Sequence, residues 1–243
     1  MLVVKIKGWI LLPWVRKQAG QDQQKASAVA IGDNAGRHIQ LAGAVAVGRE
    51  SGKTNQGTAA VAVGPESGFT GQGNFATAVG SLAGNSSQGV AGVAVGRHAG
   101  QTSQGQYAVA VGTGSGELNQ GNNATAVGVG AGGSNQGNNA TAVGVGAGGS
   151  NQSASTTAIG HSANFNGGTI SAIPAGAVLL NGSGTSFPNY TDNNYTSPGA
   201  VDSQTGGLYV RNIRVFSSSY QPANGDFYQL YWSKDSGEIY AIP

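Results

Sequence analysis

The sequence predicts an all-β protein: a trimeric parallel β-roll, or solenoid, of nine 16-residue coils, followed by a small C-terminal β domain. Three observations predict this fold class. The letters NQGNNATAVGVGAGGS fill residues 119–134 and fill 135–150 again without a change. Glycine supplies 43 of the 243 residues, and only 9% of the residues are charged. A fixed period also runs through residues 26–164, which is typical of stacked coils rather than of a disordered glycine-rich chain.

Three columns of residues define the 16-residue repeat, and no insertion separates the copies. The first column is a Gly preceded by Val or Ile, called the index Gly below: Gly32, Gly48, Gly64, Gly80, Gly96, Gly112, Gly128, Gly144 and Gly160. The second is Gln40, Gln56, Gln72, Gln88, Gln104, Gln120, Gln136 and Gln152. The third is Gly36, Gly52, Gly68, Gly84, Gly100, Gly116, Gly132 and Gly148. The ninth copy has Asn164 in the third column, and the periodicity ends there.

The first 25 residues differ from the repeats, so the sequence divides into the segments 1–25, 26–164 and 165–243. Residues 8–15 are apolar with basic residues on both sides, but this stretch is too short to span a bilayer. It lacks the small-residue cleavage site of a secretory signal, and Pro13 interrupts it. We expect either a strand with Val4 and Ile6 on one face, or a tail that docks into a neighbouring subunit.

Each repeat contains one clear strand, the four residues that end before the index Gly. This run is rich in β-branched residues, and Gly recurs too often for a helix because each would cost about 1 kcal/mol. Strand side chains alternate, so Val or Ile lies on one face and Ala on the other. Both faces are apolar, which predicts that both are covered and that chains associate about a common axis, most simply as a ring of three. The sequence leaves open which face points into the roll.

The Gln column has two interpretations, both structural. The amides could form a hydrogen-bonded ladder at the ~4.8 Å spacing of neighbouring strands. Alternatively, each Gln could satisfy the backbone of its own turn. The glycines are expected to supply positive φ at the turns.

Residues 165–243 are predicted to form a small all-β domain that caps the roll. Twelve of the seventeen aromatic residues lie there. The segments GAVLLNGSG, GLYVRNIRVF and DFYQLYW are typical of strands, and residues 234–237 of a hairpin turn into EIYAIP. Residues 183–207 predict a long exposed loop because they are rich in Ser, Thr, Asn, Pro and Gly.

No arrangement of residues indicates catalysis, a cofactor or a metal site. The chain has no Cys, and its net charge of +2 gives no case for a nucleic-acid partner. His38, His98 and His161 occupy turn positions without a consistent carboxylate partner, which favours surface His over metal ligands. Residues 128–133, GVGAGG, are similar to a phosphate-binding loop, but no helix can follow them within the repeat.

The carboxylates also lack a catalytic pattern. Those of the repeats lie at variable turn positions and are interpreted as solubilising charges: Glu50, Glu66 and Glu117. Those near the C-terminus offer no spacing that recommends a pair for a glycan-cleaving enzyme: Asp202, Asp226, Asp235 and Glu238. The sequence therefore predicts a protein that is not an enzyme.

Aromatic residues in polar C-terminal loops are the candidate receptor contacts: Phe187, Tyr190, Tyr195 and Tyr220. Sugars and protein receptors both favour such side chains, and packing of a small β domain is the alternative explanation. The repeats vary only at turn positions, so we expect a specific partner at the tip rather than on the roll. Sequons at Asn123, Asn139, Asn189 and Asn194 leave glycosylation open.

The segments SAVAIGDNAG, AAVAVGPESG and YAVAVGTGSG resemble the head repeats of YadA-type trimeric adhesins. The matching positions are the strand that ends in Val or Ile plus Gly, and the small residue three places later. The resemblance covers about 139 residues and implies a left-handed parallel β-roll with three chains around one axis. The longer repeat and its Gln-Gly turn depart from that family and resemble repeats in fibre proteins of phages and large DNA viruses, as does the C-terminal arrangement.

These features together predict a homotrimeric virion fibre or spike subunit, exposed on the virion surface or extracellular. We expect its N-terminus to contact other virion or fibre subunits and its tip to contact a host glycan or receptor, with no cofactor and no membrane span. The absence of a heptad stalk and of terminal anchor strands favours a virion fibre over a bacterial autotransporter. The alternatives are a cell-surface adhesin, an extracellular filament-forming protein, or an ice-binding solenoid. The last needs a flat Thr array, and only four Thr recur at one position: Thr77, Thr125, Thr141 and Thr157.

Overall fold

The structure is a computed structural model that describes residues 4–6, 9–11, 19–163, 178–181, 208–211, 229–232 and 239–242. Within these ranges the regular elements are all β-strands, and no residue is helical. The main body is a roll made of two parallel sheets, and the periodic part of the chain contributes nine strands to the first and eight to the second. The predicted stack of nine coils with one repeat per coil is confirmed.

The first sheet, here called the valine sheet, contains the strands that precede the index glycines. Its nine periodic strands are Val29–Ile31, Val45–Val47, Val61–Val63, Thr77–Val79, Val93–Val95, Val109–Val111, Thr125–Val127, Thr141–Val143 and Thr157–Ile159. Each strand pairs in parallel with the next, and every residue lies opposite its equivalent sixteen positions on, as Ala78 lies opposite Ala94.

The second sheet, here called the glutamine sheet, was not predicted from the sequence. Its strands end at the Gln column: Asp22–Gln24, His38–Gln40, Thr54–Gln56, Thr70–Gln72, Ser86–Gln88, Thr102–Gln104, Leu118–Gln120 and Ser134–Gln136. An isolated parallel bridge from Ser134 to Ser150 extends the pairing to the following coil. The two sheets enclose a narrow interior.

The interior is filled by Ala and Gln side chains. The Ala face of each valine-sheet strand therefore points into the roll, and the opposite face points outward. The Ala column of the valine sheet is fully buried from the second coil onward: Ala46, Ala62, Ala78, Ala94, Ala110, Ala126, Ala142 and Ala158. Because side chains alternate along a strand, the Val, Ile and Thr side chains of the valine sheet lie on the outside of the roll. Alanine lets the two sheets approach closely, so the roll can be thin.

Each buried Gln joins the two sheets within its own coil. Nε2 of Gln56 donates to the carbonyl oxygen of Val45 at 2.7 Å and to that of Ala60 at 3.3 Å, and the same pair of bonds recurs at the equivalent Gln residues through Gln152. Nε2 of Gln120 also donates to Oε1 of Gln136 at 3.1 Å. Both predicted roles of the column are therefore present: the amides satisfy the turn backbone, and several of them form a ladder along the roll.

Two glycine columns are required by the backbone at the corner after each valine strand. Gly48 has a φ of 126°, and a Cβ atom there would lie 2.7 Å from the carbonyl oxygen of Gly64 in the next coil. Gly52 has a φ of 50°, and its Cβ would lie 2.6 Å from Oε1 of Gln56. The prediction that these glycines supply positive φ is confirmed, and close packing against the next coil or the Gln column adds a second reason.

Four further strands lie beyond the repeats. Val178–Asn181 pairs in parallel with Thr157–Ile159, and Leu208–Arg211 pairs in parallel with Val178–Asn181. The valine sheet thus continues past residue 164, where the sequence placed a domain boundary. Leu179 stands opposite Ala158 and is fully buried with the last alanines of the interior, so a larger side chain fills this end of the roll.

The remaining described strands form two antiparallel pairs. Gln229–Trp232 pairs with Ile239–Ile242, on either side of the predicted hairpin turn. Near the N-terminus, Val4–Ile6 pairs with Trp9–Leu11, in agreement with the predicted strand at Val4 and Ile6.

Candidate functional site

The four candidate receptor contacts, Phe187, Tyr190, Tyr195 and Tyr220, lie outside the described residues. Among the described residues, those free to contact a partner lie on the outer surface of the roll. That surface has three parts with different chemistry: a charged corner, an apolar sheet face and an uncharged corner.

The charged corner is the turn after each strand of the valine sheet. It carries the carboxylates that the sequence predicts to be solubilising charges. Arg49 bonds to Glu66 of the next coil and lies 3.5 Å from Glu50. Nζ of Lys53 lies 3.0 Å from Oε1 of Glu50 and 4.8 Å from the centre of the Phe69 ring. Of these contacts, Arg49–Glu66 and Lys53–Phe69 connect adjacent coils, whereas the two to Glu50 lie within one coil. Surface ion pairs of this kind are each worth only about 0–1 kcal/mol.

Two of the three histidines lie beside a carboxylate of a neighbouring coil. Nδ1 of His38 lies 2.7 Å from Oδ2 of Asp22, and Nδ1 of His98 lies 3.6 Å from Oε1 of Glu117, while His161 is exposed. Among the described residues, no three His, Asp or Glu side chains cluster as metal ligands. Residues 128–133, GVGAGG, form a turn that leads into the strand Ser134–Gln136, which confirms that no helix follows them and that the phosphate-loop geometry is absent there.

The apolar face is the outer side of the valine sheet. Each coil presents two side chains there, and most are Val or Ile, as with Val93 and Val95. The surface is half-buried or exposed along the roll, and at its start Val29 is 41% exposed and Ile31 51% exposed. A continuous apolar strip of this kind is typical of a protein–protein interface.

The uncharged corner, called the Gln–Gly corner, consists of the four residues that follow each Gln, from residues 41–44 to residues 153–156. It contains no Asp, Glu, Lys or Arg in any of these coils. Its third residue has a left-handed backbone, with φ of 53° at Ala59, 61° at Phe75, 53° at Ala91 and 57° at Tyr107. Phe75 is 62% exposed and Tyr107 is 59% exposed, so two aromatic rings stand in solvent on this corner.

A shallow groove of about 360 Å³ borders the same corner. Gly57 and Gly73 line it together with Asn74, the residue before Phe75. Oδ1 of Asn74 accepts a hydrogen bond of 2.9 Å from the backbone N–H of Thr58, which fixes the amide. Further along the corner, the sequon residues Asn123 and Asn139 are exposed at the position that Phe75 and Tyr107 occupy in their own coils.

Sequence reasoning missed Phe75 and Tyr107, because it expected a specific partner only at the tip. A signal was present in the repeat columns. The same position otherwise holds small or short polar residues in every coil: Ser27, Gly43, Ala59, Ala91, Asn123, Asn139 and Ser155. Phe75 and Tyr107 are therefore the two aromatic exceptions at a repeat position that otherwise holds small or short polar residues, and the fold does not require an aromatic side chain there.

Comparison with protein-family models, with curated proteins and with solved structures gave no match. In the part of the chain that the structure describes, no helix is long and apolar enough to cross a membrane.

Proposed function

We propose that this chain is a non-enzymatic, homotrimeric subunit of a virion fibre or spike, in which the roll is a rigid spacer and the C-terminal region is the attachment tip. The observation that carries the proposal is the apolar strip on the outer side of the valine sheet. A strip that repeats in every coil offers the same interface along the whole roll, so chains that associate through it can align in register and side by side.

The interior of the roll supports association through this strip rather than through the alanine face. The alanines and Gln residues are already buried between the two sheets of one chain. The Val, Ile and Thr face of the valine sheet remains on the outside as an apolar strip that runs through every described coil. A ring of three chains would cover it with a closed symmetry and no free edge.

Hydrogen bonding between coils supports the proposed spacer role. Backbone N–H groups of each coil donate to carbonyl oxygens of both neighbouring coils at 2.7–3.0 Å along the roll, as Gly52 does to Ser67 of the next coil and Gly48 to Ile31 of the preceding coil. Such a ladder, joined to the Gln bonds inside each coil, resists bending. The virion assignment rests on the resemblance of the Gln-Gly repeat to fibre proteins of phages and large DNA viruses.

Two measurements test the proposal. Light scattering of the purified chain should give three times the 24.1 kDa subunit mass, and a folded monomer would contradict the trimer. Antibody labelling of source particles in negative-stain images should mark projecting fibres. Label found on cell surfaces, with none on particles, would replace the virion fibre with a cellular adhesin.

A further inference from the structure

Phe75 and Tyr107 destabilise the fold, and burial of their rings does not compensate for this cost. A bulky side chain in the left-handed region costs about 1 kcal/mol, and both rings remain more than half exposed. Ala59 and Ala91 occupy the same position with the same backbone conformation. The roll therefore forms without a ring at this position, and the two rings need an explanation outside folding.

The spacing of the rings is fixed by the coils between them. The N–H of Ala91 donates to the carbonyl oxygen of Asn74, and the N–H of Tyr107 donates to that of Val90. Phe75 and Tyr107 are thus two coils apart on one line, about 10 Å at the ~4.8 Å strand spacing. This is close to the length of one disaccharide in an extended β-linked polysaccharide, in which every second sugar presents the same face.

The groups around the rings suit a neutral, hydroxyl-rich ligand. The amide of Asn74 is held by Thr58, and the amide of Asn122 is held by the backbone N–H of Gln106 at 2.9 Å. Each of these bonds uses the side-chain oxygen and leaves an NH₂ group as a donor. The absence of charged residues from the Gln–Gly corner disfavours anionic ligands, because nothing there would balance their charge.

We propose that the Gln–Gly corner binds a neutral, extended β-linked polysaccharide of the cellulose or chitin type. The apolar C–H face of one sugar would stack on the ring of Phe75. The same face of the next sugar but one, a disaccharide further along the chain, would stack on the ring of Tyr107, because aromatic faces favour such apolar contacts. Hydroxyl groups at the sugar edges would bond to Asn74, Gln106 and Asn122. The groove beside Asn74, about 360 Å³, has the size of a small-molecule site and accommodates the edge of the chain. This site is separate from the proposed attachment tip.

The first experiment is sedimentation of the full chain with insoluble cellulose and chitin, followed by calorimetric titration with cellohexaose and chitohexaose. We expect binding to one of these glycans, and little binding to dextran, whose chain is not extended in this way. Phe75→Ala and Tyr107→Ala should each lower the affinity about tenfold, and the double variant should reduce it to background. Both variants should fold, because alanine already occupies this position at Ala59 and Ala91.

Two controls make the result specific. Phe69→Ala removes a ring from the charged corner and should leave binding unchanged. Tyr107→Ala combined with Asn123→Tyr keeps two rings but places them three coils apart, about 14 Å, and should bind no better than Tyr107→Ala alone.

Four outcomes would overturn the proposal. The wild-type chain could fail to bind either glycan, or the double variant could bind as the wild type does. The double variant could also lose its oligomeric mass in light scattering, which would assign the rings to a contact between copies of the chain. Retained affinity in the relocated pair would refute the match to a disaccharide repeat, on which the ligand class depends.

Discussion

Nε2 of Gln120 donates to the carbonyl oxygen of Val109 at 2.8 Å, across the interior of a single coil. The same nitrogen lies 3.4 Å from the carbonyl oxygen of Ala124 and 3.1 Å from Oε1 of Gln136. One side chain therefore joins the two sheets of its coil to each other and to the next coil.

Replacement of this amide should destabilise the roll. Gln120→Leu would leave the carbonyl oxygens of Val109 and Ala124 buried without this donor, at an expected cost of about 1–3 kcal/mol. Gln106→Leu makes the same change on the exposed Gln–Gly corner and should change stability little. Urea unfolding followed by circular dichroism compares the two, and equal midpoints would refute the structural role of the Gln column.

Two neighbouring glycines should respond differently to alanine. Gly128 has a φ of 128°, and a Cβ there would lie 2.6 Å from the carbonyl oxygen of Gly144. Gly130 has a φ of 64° with nothing within 4 Å of its Cβ position, and Leu82 already adopts this conformation in another coil. We expect Gly128→Ala to cost several kcal/mol and Gly130→Ala roughly 1 kcal/mol. Thermal unfolding of both variants checks the order, and the reverse order would be incompatible with the packing described.

Assembly of the proposed trimer should fail when a charged side chain is placed in the apolar strip. Val95→Asp places a carboxylate on the outer side of the valine sheet, where association would bury it at a cost of several kcal/mol. Ser103→Asp adds the same charge in the same coil on the exposed glutamine sheet. Light scattering should show loss of assembly only for Val95→Asp. Assembly lost instead with Ser103→Asp would place the interface on the glutamine sheet.

Removal of whole repeats should shorten the roll without changing its register. Deletion of residues 119–150 joins Leu118 to Asn151, which occupies the position of Asn119 in its coil. Two coils of stacking are lost, so the roll should be about 10 Å shorter and should still trimerise. Circular dichroism and images of the trimer check this, and an unfolded product would show that the coils are not equivalent.

The attachment tip can be tested against this shortened roll. Tyr190→Ala with Tyr195→Ala should keep the proposed trimer and weaken cell binding, because the three tips of such a trimer would contribute together to avidity. The shortened roll should bind host cells as the wild type does. If the shortened roll loses attachment while the tip variant keeps it, the attachment surface belongs to the roll.

The sequence predicted the coils because every repeat places Val or Ile before the index Gly. It did not predict the strand Thr54–Gln56 and its equivalents, because these strands expose Ser, Thr and Asn and contain a left-handed residue, so hydrophobic periodicity is missing there. For example, Asn55 has a φ of 56°. The inward face was also undecided, because Ala46 and Val47 are both apolar. Their burial depends on how closely two sheets can approach, which is a property of the folded roll.

The site was less predictable than the fold. The rings of Phe75 and Tyr107 lie in turns, where sequence patterns carry little information about exposure or alignment between coils. Only the stacking of the corners brings two residues separated by 32 positions onto one line. Likewise, nothing local to Leu179 indicates that it fills the end of the alanine interior.

The identity of residues 119–134 and 135–150 has a consequence for how such a chain changes over generations. Each of these coils meets neighbours of nearly the same shape, so a gene that gains or loses one copy by unequal recombination still encodes a continuous roll. Length can then vary in steps of one coil, about 4.8 Å, without any compensating substitution. Selection can therefore change the length of the roll independently of the segments that precede and follow it.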